Sequence, residues 1–188
     1  MNILVICEKN DAAQKISFIL SGRGYEKRFI NKVPIYHYAR NNNDYLVMGL
    51  RGHIVELDYP KEYARWDAEH IRKLVWVEPI KQPSVRGISE VLESLARDVQ
   101  EVIVATDFDR EGELIGAEAA DIVIARNPTV KLRRARFSAF TRSEVETAFD
   151  NLTEVDQNLA KAAESRQIID LAWGAVLTRF MSLATGQH

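Results

Sequence analysis

Val102-Ile-Val-Ala-Thr-Asp-Phe-Asp-Arg-Glu-Gly-Glu113 decides the fold of this chain. An apolar run of strand length ends in three carboxylates at alternating positions, Asp107, Asp109 and Glu111. A Gly and a helix-like pattern follow at once, predicting a helix over 111–126. Like charges packed this closely repel unless something positive sits among them, and a divalent cation offsets that repulsion. Mg²⁺ is commonly held by one or two carboxylates, water and substrate phosphates. The stretch therefore predicts a buried strand carrying a metal site at its end, with phosphate chemistry as its use.

The competing reading needs no metal. Acidic residues complement the dipole in the first turn of any helix, which accounts for Glu111 and Glu113. It accounts less well for Asp107 and Asp109, which precede the helix and crowd each other. The beginning of the chain adds a second signal. Ile3-Leu4-Val5-Ile6 is a continuous aliphatic run, as expected of a parallel strand buried on both faces, and Glu8 follows it directly. Ala12 to Leu20 then reads as a helix stopped by Gly22 and Gly24. Two such strand–helix units predict a doubly wound α/β sheet, in which ligands collect beyond the carboxyl ends of the strands. If the two strands are neighbours, Glu8 meets Asp107 and Asp109 above the sheet.

Between these units the pattern changes. Arg28 to Ile30, Val33 to Ala39 and Tyr45 to Leu50 read as short strands, with Asn41-Asn42-Asn43-Asp44 as a turn. Residues 52–84, with Pro60, Pro79 and Pro83, read as mostly irregular around one short run, Leu74 to Val77. Ile88 to Val99 is amphipathic at helical spacing, and Lys131 to Ala135 reads as a strand. Thr141-Arg-Ser-Glu144 is a capping-box pattern opening a helix to about Phe149. Asp156 to Leu183 is helical in pattern, with a break expected near Gly174.

Length and charge set the outer bounds. The 188 residues fit one domain with part of a second. The net charge of −2 excludes nothing about nucleic acid, and its distribution is more telling. Seven acidic residues and one Arg lie between Glu101 and Asp121, whereas Lys131 to Arg142 holds five basic residues and no acidic one. That juxtaposition suits a metal site beside a polyanion track; two solvated faces of opposite sign are the other explanation. The single Cys7 excludes an internal disulfide and a Cys-rich zinc site. The N-terminal apolar run is too short for a signal peptide and lacks a basic flank, and no stretch reads as membrane-spanning. A cytoplasmic protein without a membrane partner is expected.

Glu8-Lys9-Asn10-Asp11-Ala12-Ala13, Gly52-His53 and Thr106-Asp-Phe-Asp-Arg-Glu-Gly-Glu113, in that order, resemble the Toprim domain of type IA DNA topoisomerases. The Glu8-Lys9 pair resembles the topoisomerase III-like branch, with its archaeal and eukaryotic members. The resemblance continues through Arg134-Ala-Arg-Phe-Ser138, Thr141, Asn151-Leu-Thr-Glu154, Arg166-Gln-Ile-Ile-Asp170 and Thr178-Arg-Phe180. It implies a Toprim fold over 1–152, Rossmann-like with a mainly parallel central sheet flanked by helices. An added C-terminal helical segment, 153–188, would begin the next domain.

The same resemblance implies roles. Glu8 would stand beside the scissile phosphate as acid/base for the 3′-oxygen, with Lys9 stabilising phosphate charge or assisting proton transfer. Asp107, Asp109 and Glu111, with Glu8, would bind Mg²⁺, the implied cofactor. Carboxylates cannot face a phosphodiester without cations between them, and Mg²⁺ with Lys9 supplies these. Arg136 is expected on the DNA backbone, because single-strand tracks are built from such charge. Arg166 and Asp170, four apart on a predicted helix, would contact single-stranded DNA at the gate; an i,i+4 salt bridge is the plain alternative, although Arg before Asp is its weaker orientation. His53 is either catalytic or a hydrogen-bonded structural His. The topoisomerase I branch often places Tyr after the Gly following this segment, whereas here Ala175 follows Gly174, so a base preference carried by such a ring is not implied.

The family breaks one DNA strand by tyrosine attack, passes another strand through and reseals the break. Its tyrosine lies downstream, in a Tyr-Pro-Arg setting. The one Tyr-Pro of this chain, Tyr59-Pro60, is followed by Lys61 and falls inside the Toprim match, so it reads as a loop feature. The expectation is the Toprim portion of a topoisomerase that binds Mg²⁺ and single-stranded DNA. It would work with the remaining domains of the same enzyme, be inactive alone, and expose apolar surface on its last helices. Two other readings use the same carboxylates: a Toprim nuclease or primase-type domain with two metals, and a non-enzymatic nucleic-acid-binding Toprim protein. The run from Arg166 to Phe180 has no use in the first of these.

Overall fold

A computed structural model describes residues 1–22, 24–84 and 86–186. β1 (Asn2–Cys7) lies at the centre of its sheet because its sequence tolerates burial on both faces: Ile3 through Cys7 are each at most 2% exposed. Burying an aliphatic side chain completely contributes about 1.5–3 kcal/mol. β4 (Asn43–Gly49) and β7 (Glu101–Val104) flank β1, both parallel to it, so that Ile6 lies opposite Met48 on one side and Val104 on the other. β8 (Lys131–Arg134) extends the parallel half beyond β7. β2 (Glu26–Ile30) and β3 (Val33–Arg40) join β4 as an antiparallel meander, giving the order β2-β3-β4-β1-β7-β8. Both tight turns of the meander, Asn31-Lys32 and Asn41-Asn42, have two residues at positive φ. This is the hairpin geometry that matches strand twist and that Asn tolerates.

Helices cover both faces, as a doubly wound sheet requires. On one side α1 (Asn10–Ser21) and α5 (Arg142–Asp150) pack Ile16, Ile19, Val145 and Phe149 with Val5 and Ile103. On the other, α3 (Arg86–Ala96) and α4 (Arg110–Arg126) pack Val91, Leu92, Ile115 and Ala119 with Leu4, Ile6 and Val102. The expected α/β class, with a mainly parallel sheet, is the one observed. α1 approaches β4 closely at Gly49: a Cβ there would stand 2.4 Å from the Asn10 nitrogen, so only Gly permits this contact.

Two expectations about elements are corrected. Residues 52–84 are more regular than their prolines implied. β5 (Val55–Asp58) and β6 (Ile80–Pro83) form a separate antiparallel pair, and a 3₁₀ turn (Lys61–Tyr63) leads to α2 (Ala68–Leu74). Asp67 caps α2 by accepting from the His70 N–H at 2.9 Å. These elements are three to seven residues long, too short for periodicity to emerge. The second correction concerns the last helix. α6 (Gln157–Thr185) runs unbroken through Gly174, because a Gly inside a helix costs only about 1 kcal/mol against Ala.

α6 packs against α4, α2 and β5. By length and composition alone it is also apolar enough to cross a membrane, with a mean hydropathy of 1.3 over its best 18 residues; the break expected near Gly174 hid that run. Ile169, Trp173, Leu177 and Phe180 are 63%, 69%, 44% and 58% exposed. The apolar surface expected of the last helix is therefore present.

Candidate functional site

The pairing of β1 with β7 brings two strand ends to one edge of the sheet. Ala105 continues the ladder by donating to the Ile6 carbonyl at 2.8 Å, and Glu8 and Asp107 follow just beyond. The Glu8 carbonyl accepts from the Arg51 and Gly52 N–H groups, both at 3.0 Å, which ties this edge to the loop after β4. That loop turns through positive φ at Arg51 and Gly52. Glu8 is largely buried, and its carboxylate lies 3.1 Å from Lys9 Nζ, itself 69% exposed. The hydrogen bond to Glu8, then the charges of Glu8 and Asp107, hold Lys9 protonated to higher pH than a free lysine. Lys9 thus lies in the field of both strand ends.

The acidic loop is braced from beneath. Arg134, fully buried, donates from Nη2 to the Asp107 carbonyl at 2.9 Å and from Nη1 to the carbonyls of Val104 and Ala135. Its Nε lies 2.8 Å from a Glu113 oxygen, also fully buried. Thr106 Oγ1 donates to the Gly112 carbonyl at 2.6 Å. A Cβ on Gly112 would come within 2.1 Å of the Asp107 oxygen, so the loop folds tightly over the start of α4 only because residue 112 is Gly. Asp107 and Asp109 remain exposed above this support.

The three carboxylates of the acidic run divide their tasks. Asp109 caps α4, one oxygen accepting from the Gly112 N–H at 2.7 Å. Glu111 turns toward cations: His53 Nε2 at 3.5 Å, Arg166 at 3.6 Å and Arg110 at 3.7 Å. Among the described residues no three His, Cys, Asp or Glu side chains stand together as a metal cage. The four-carboxylate set of Glu8, Asp107, Asp109 and Glu111 is therefore not assembled as one cluster, because protein donors already satisfy Asp109 in part and Glu111. Mg²⁺ does not need a complete protein cage: one or two carboxylates suffice when water and phosphate supply the rest. The exposed oxygens of Asp107 and the second oxygen of Asp109 are carboxylate donors of that kind.

His53 belongs to a network rather than standing free. Its Nδ1 lies 3.4 Å from the nearly buried Glu118 carboxylate, and Gln167 of α6 approaches both ring nitrogens at 3.3–3.4 Å. The contact with Glu118 raises the His53 pKa; partial burial opposes this, and the charges of Glu118 and Glu111 add to the rise. These contacts are of the kind a hydrogen-bonded structural His makes, and they leave both expected roles of His53 open. Arg166 links α6 to the site through Glu111 and also lies 3.5 Å from Asp170, the i,i+4 pair that the sequence left open. Arg136 stands on the other side of the acidic loop, its guanidinium 5.3 Å from the centre of the Phe108 ring. Tyr59 is 5% exposed, and its hydroxyl is buried without a hydrogen-bond partner among the described residues. Tyr59 is not presented to an incoming phosphodiester.

Sequence reasoning missed two supporting pairs, Arg134–Glu113 and His53–Glu118. A signal existed for the first. Arg134 shares a strand face with Leu132 at period two, and Glu113 precedes Leu114 and Ile115, so both charges sit at apolar positions. Nothing in the sequence joined Gly52-His53 to Glu118, 65 residues on.

The Toprim domain family model matches residues 3–140. DNA topoisomerase 1 of Archaeoglobus fulgidus is 46% identical over 187 residues, which is 100% of this chain and 28% of that protein. DNA topoisomerase 1 of Thermoplasma acidophilum is 38% identical over 184 residues, 98% of the chain and 24% of the relative. Human DNA topoisomerase 3-alpha is 35% identical over 189 residues, 96% of the chain and 19% of the relative. The chain thus spans less than a third of the length of each of these relatives.

Proposed function

The chain belongs to the Toprim domain family, and from that premise we propose that it is the Toprim portion of a type IA DNA topoisomerase, Toprim over 1–152 with the first helix of the following domain. It would bind Mg²⁺ and single-stranded DNA for cleavage and religation by a tyrosine outside residues 1–188. The observation that carries this reading is the parallel pairing of β1 with β7, which brings the strand ends leading into Glu8-Lys9 and Asp107 to one edge of the sheet.

Each residue then has a task its surroundings support. Glu8, largely buried and bonded to Lys9, holds or accepts a proton at the 3′-oxygen of the cleaved strand. Lys9, exposed and protonated, meets the phosphate charge. Asp107, Asp109 and Glu8 would hold Mg²⁺, which supplies charge neutralisation at the phosphate. Glu111, 3.6 Å from Arg166, would position it, and Arg166, Asp170 and Arg136 would contact the single strand. A cytoplasmic location accords with this role.

Calorimetric titration of Mg²⁺ or Mn²⁺ tests the metal assignment: binding is expected, and is expected to weaken in Asp107→Asn/Asp109→Asn. Unchanged binding in that variant removes the assignment. Incubation of the 188-residue chain with single-stranded and supercoiled DNA tests the rest. No scission or relaxation is expected, and strand cleavage by the chain itself would favour a Toprim nuclease instead.

A further inference from the structure

Phe108 occupies the one position between the two aspartates, yet it is 49% exposed. An apolar ring beside a charged loop gains nothing from water. One face lies under the Arg136 guanidinium, 5.3 Å from the ring centre. Among the described residues Arg136 makes one hydrogen bond, a 3.4 Å contact from Nη2 to the Glu154 carbonyl, and its buried Nε has no partner there. A guanidinium has five N–H donors in a fixed fork that matches phosphate. Most of that capacity is uncommitted.

The two side chains border a cleft of about 450 Å³, walled by Phe137 and by Ser138, Thr147 and Asn151 at or near α5. Glu144, also in the wall, has one carboxylate oxygen, Oε2, engaged by the Ser138 and Ala139 N–H groups at 3.0 and 2.8 Å. A second cavity of about 320 Å³, holding Asp107 and Asp109, adjoins the same ring. Phe108 thus divides an anionic hollow from a cleft that carries an aromatic ring, a free cationic fork and neutral polar groups. Those are the parts of a site for an unpaired nucleotide: π-face to stack on, cation for the phosphate, hydroxyl and amide groups for the base edge.

We infer that the Phe108–Arg136 cleft is a binding subsite for one unpaired nucleotide of single-stranded DNA next to the acidic loop. The base stacks on Phe108 and its phosphate is taken by Arg136, away from the repelling carboxylates. The inference rests on the single-strand-binding role proposed above and adds a base contact to it. A duplex, whose bases are stacked on each other, gains nothing from such a site.

Fluorescence anisotropy of the 188-residue chain with a labelled single-stranded oligonucleotide tests the inference. Phe108→Ala and Phe108→Leu should each weaken binding about tenfold, within the range for one lost base–aromatic stack, leaving the salt dependence unchanged. Phe108→Trp should bind as well as the native chain, because the stack is retained. An oligonucleotide of abasic sugars should not distinguish Phe108→Ala from the native chain. Native binding to single strands with no loss in Phe108→Ala or Phe108→Leu overturns the subsite while leaving the single-strand role intact. Absence of native binding overturns both.

Discussion

Arg134 and Glu113 form an ion pair of 2.8 Å with both side chains fully buried, directly beneath the exposed Asp107. The pair joins β8 to α4, and the other nitrogens of Arg134 hold the Asp107 carbonyl and the ends of β7 and β8. Glu113 also accepts from the Asp156 N–H at 3.3 Å, at the start of α6. The acidic loop and the last helix are therefore referenced to one buried charge pair.

Breaking that pair from one side leaves an uncompensated buried charge, which costs far more than the pair contributes when intact. Arg134→Met should lose about 3–5 kcal/mol in urea unfolding. Arg134→Met/Glu113→Leu should recover a large part of the loss, because neither charge remains. A single variant within about 1 kcal/mol of the native chain would show the pair to be dispensable to the fold.

Asp109 performs two separable tasks, capping α4 and contributing charge to the proposed metal site. Asn can cap as well as Asp, so Asp109→Asn should keep native stability while weakening Mg²⁺ binding. Asp109→Ala should lose both, with a stability cost of about 0.5–2 kcal/mol. Equal thermal stability of Asp109→Asn and Asp109→Ala would mean that the 2.7 Å bond to Gly112 contributes nothing.

Much of this site was legible because β1 and β7 are apolar enough to be buried on both faces. Burial fixes them as central parallel strands, and strand ends in such sheets converge, so Glu8 and Asp107 could be paired in advance. The direction of Glu111 could not. Its partners His53 and Arg166 come from a loop and from α6, whose placement depends on packing against α4 and not on any local pattern. The short elements around Pro60 and Pro79 escaped for a related reason: β5 and β6 define each other only by pairing. The continuity of α6 was hidden because one Gly reads the same at a break and in a tolerated interior position.

Cys7 offers a probe of that central burial. It is the last residue of β1, fully buried, and burial pushes its thiol pKa far above the ordinary value. An unfolded chain loses this proton above about pH 8.5, whereas the folded chain retains it. The unfolded state then binds fewer protons, so this group favours folding less as pH rises beyond that point. Alkylation by iodoacetamide at about pH 9 should proceed only as fast as the chain opens, and should accelerate in step with unfolding when urea is added. Labelling of the native protein at the rate of a free thiol would show that β1 is not sealed between its helices.

The exposed stripe on α6 has a direct readout. Ile169, Trp173, Leu177 and Phe180 recur at intervals of three and four, so they lie along one side of the helix. A contiguous apolar surface of this kind binds apolar dyes in the folded state. The native chain should therefore enhance 1-anilinonaphthalene-8-sulfonate fluorescence without denaturant. Ile169→Lys/Trp173→Lys should remove most of that enhancement. The melting temperature should hardly move, since surface substitutions are usually within about 0.5 kcal/mol of neutral. If the double variant retained the full dye signal, the apolar surface would have to lie elsewhere; if it unfolded, Ile169 and Trp173 would belong to the packed core and not to an open face.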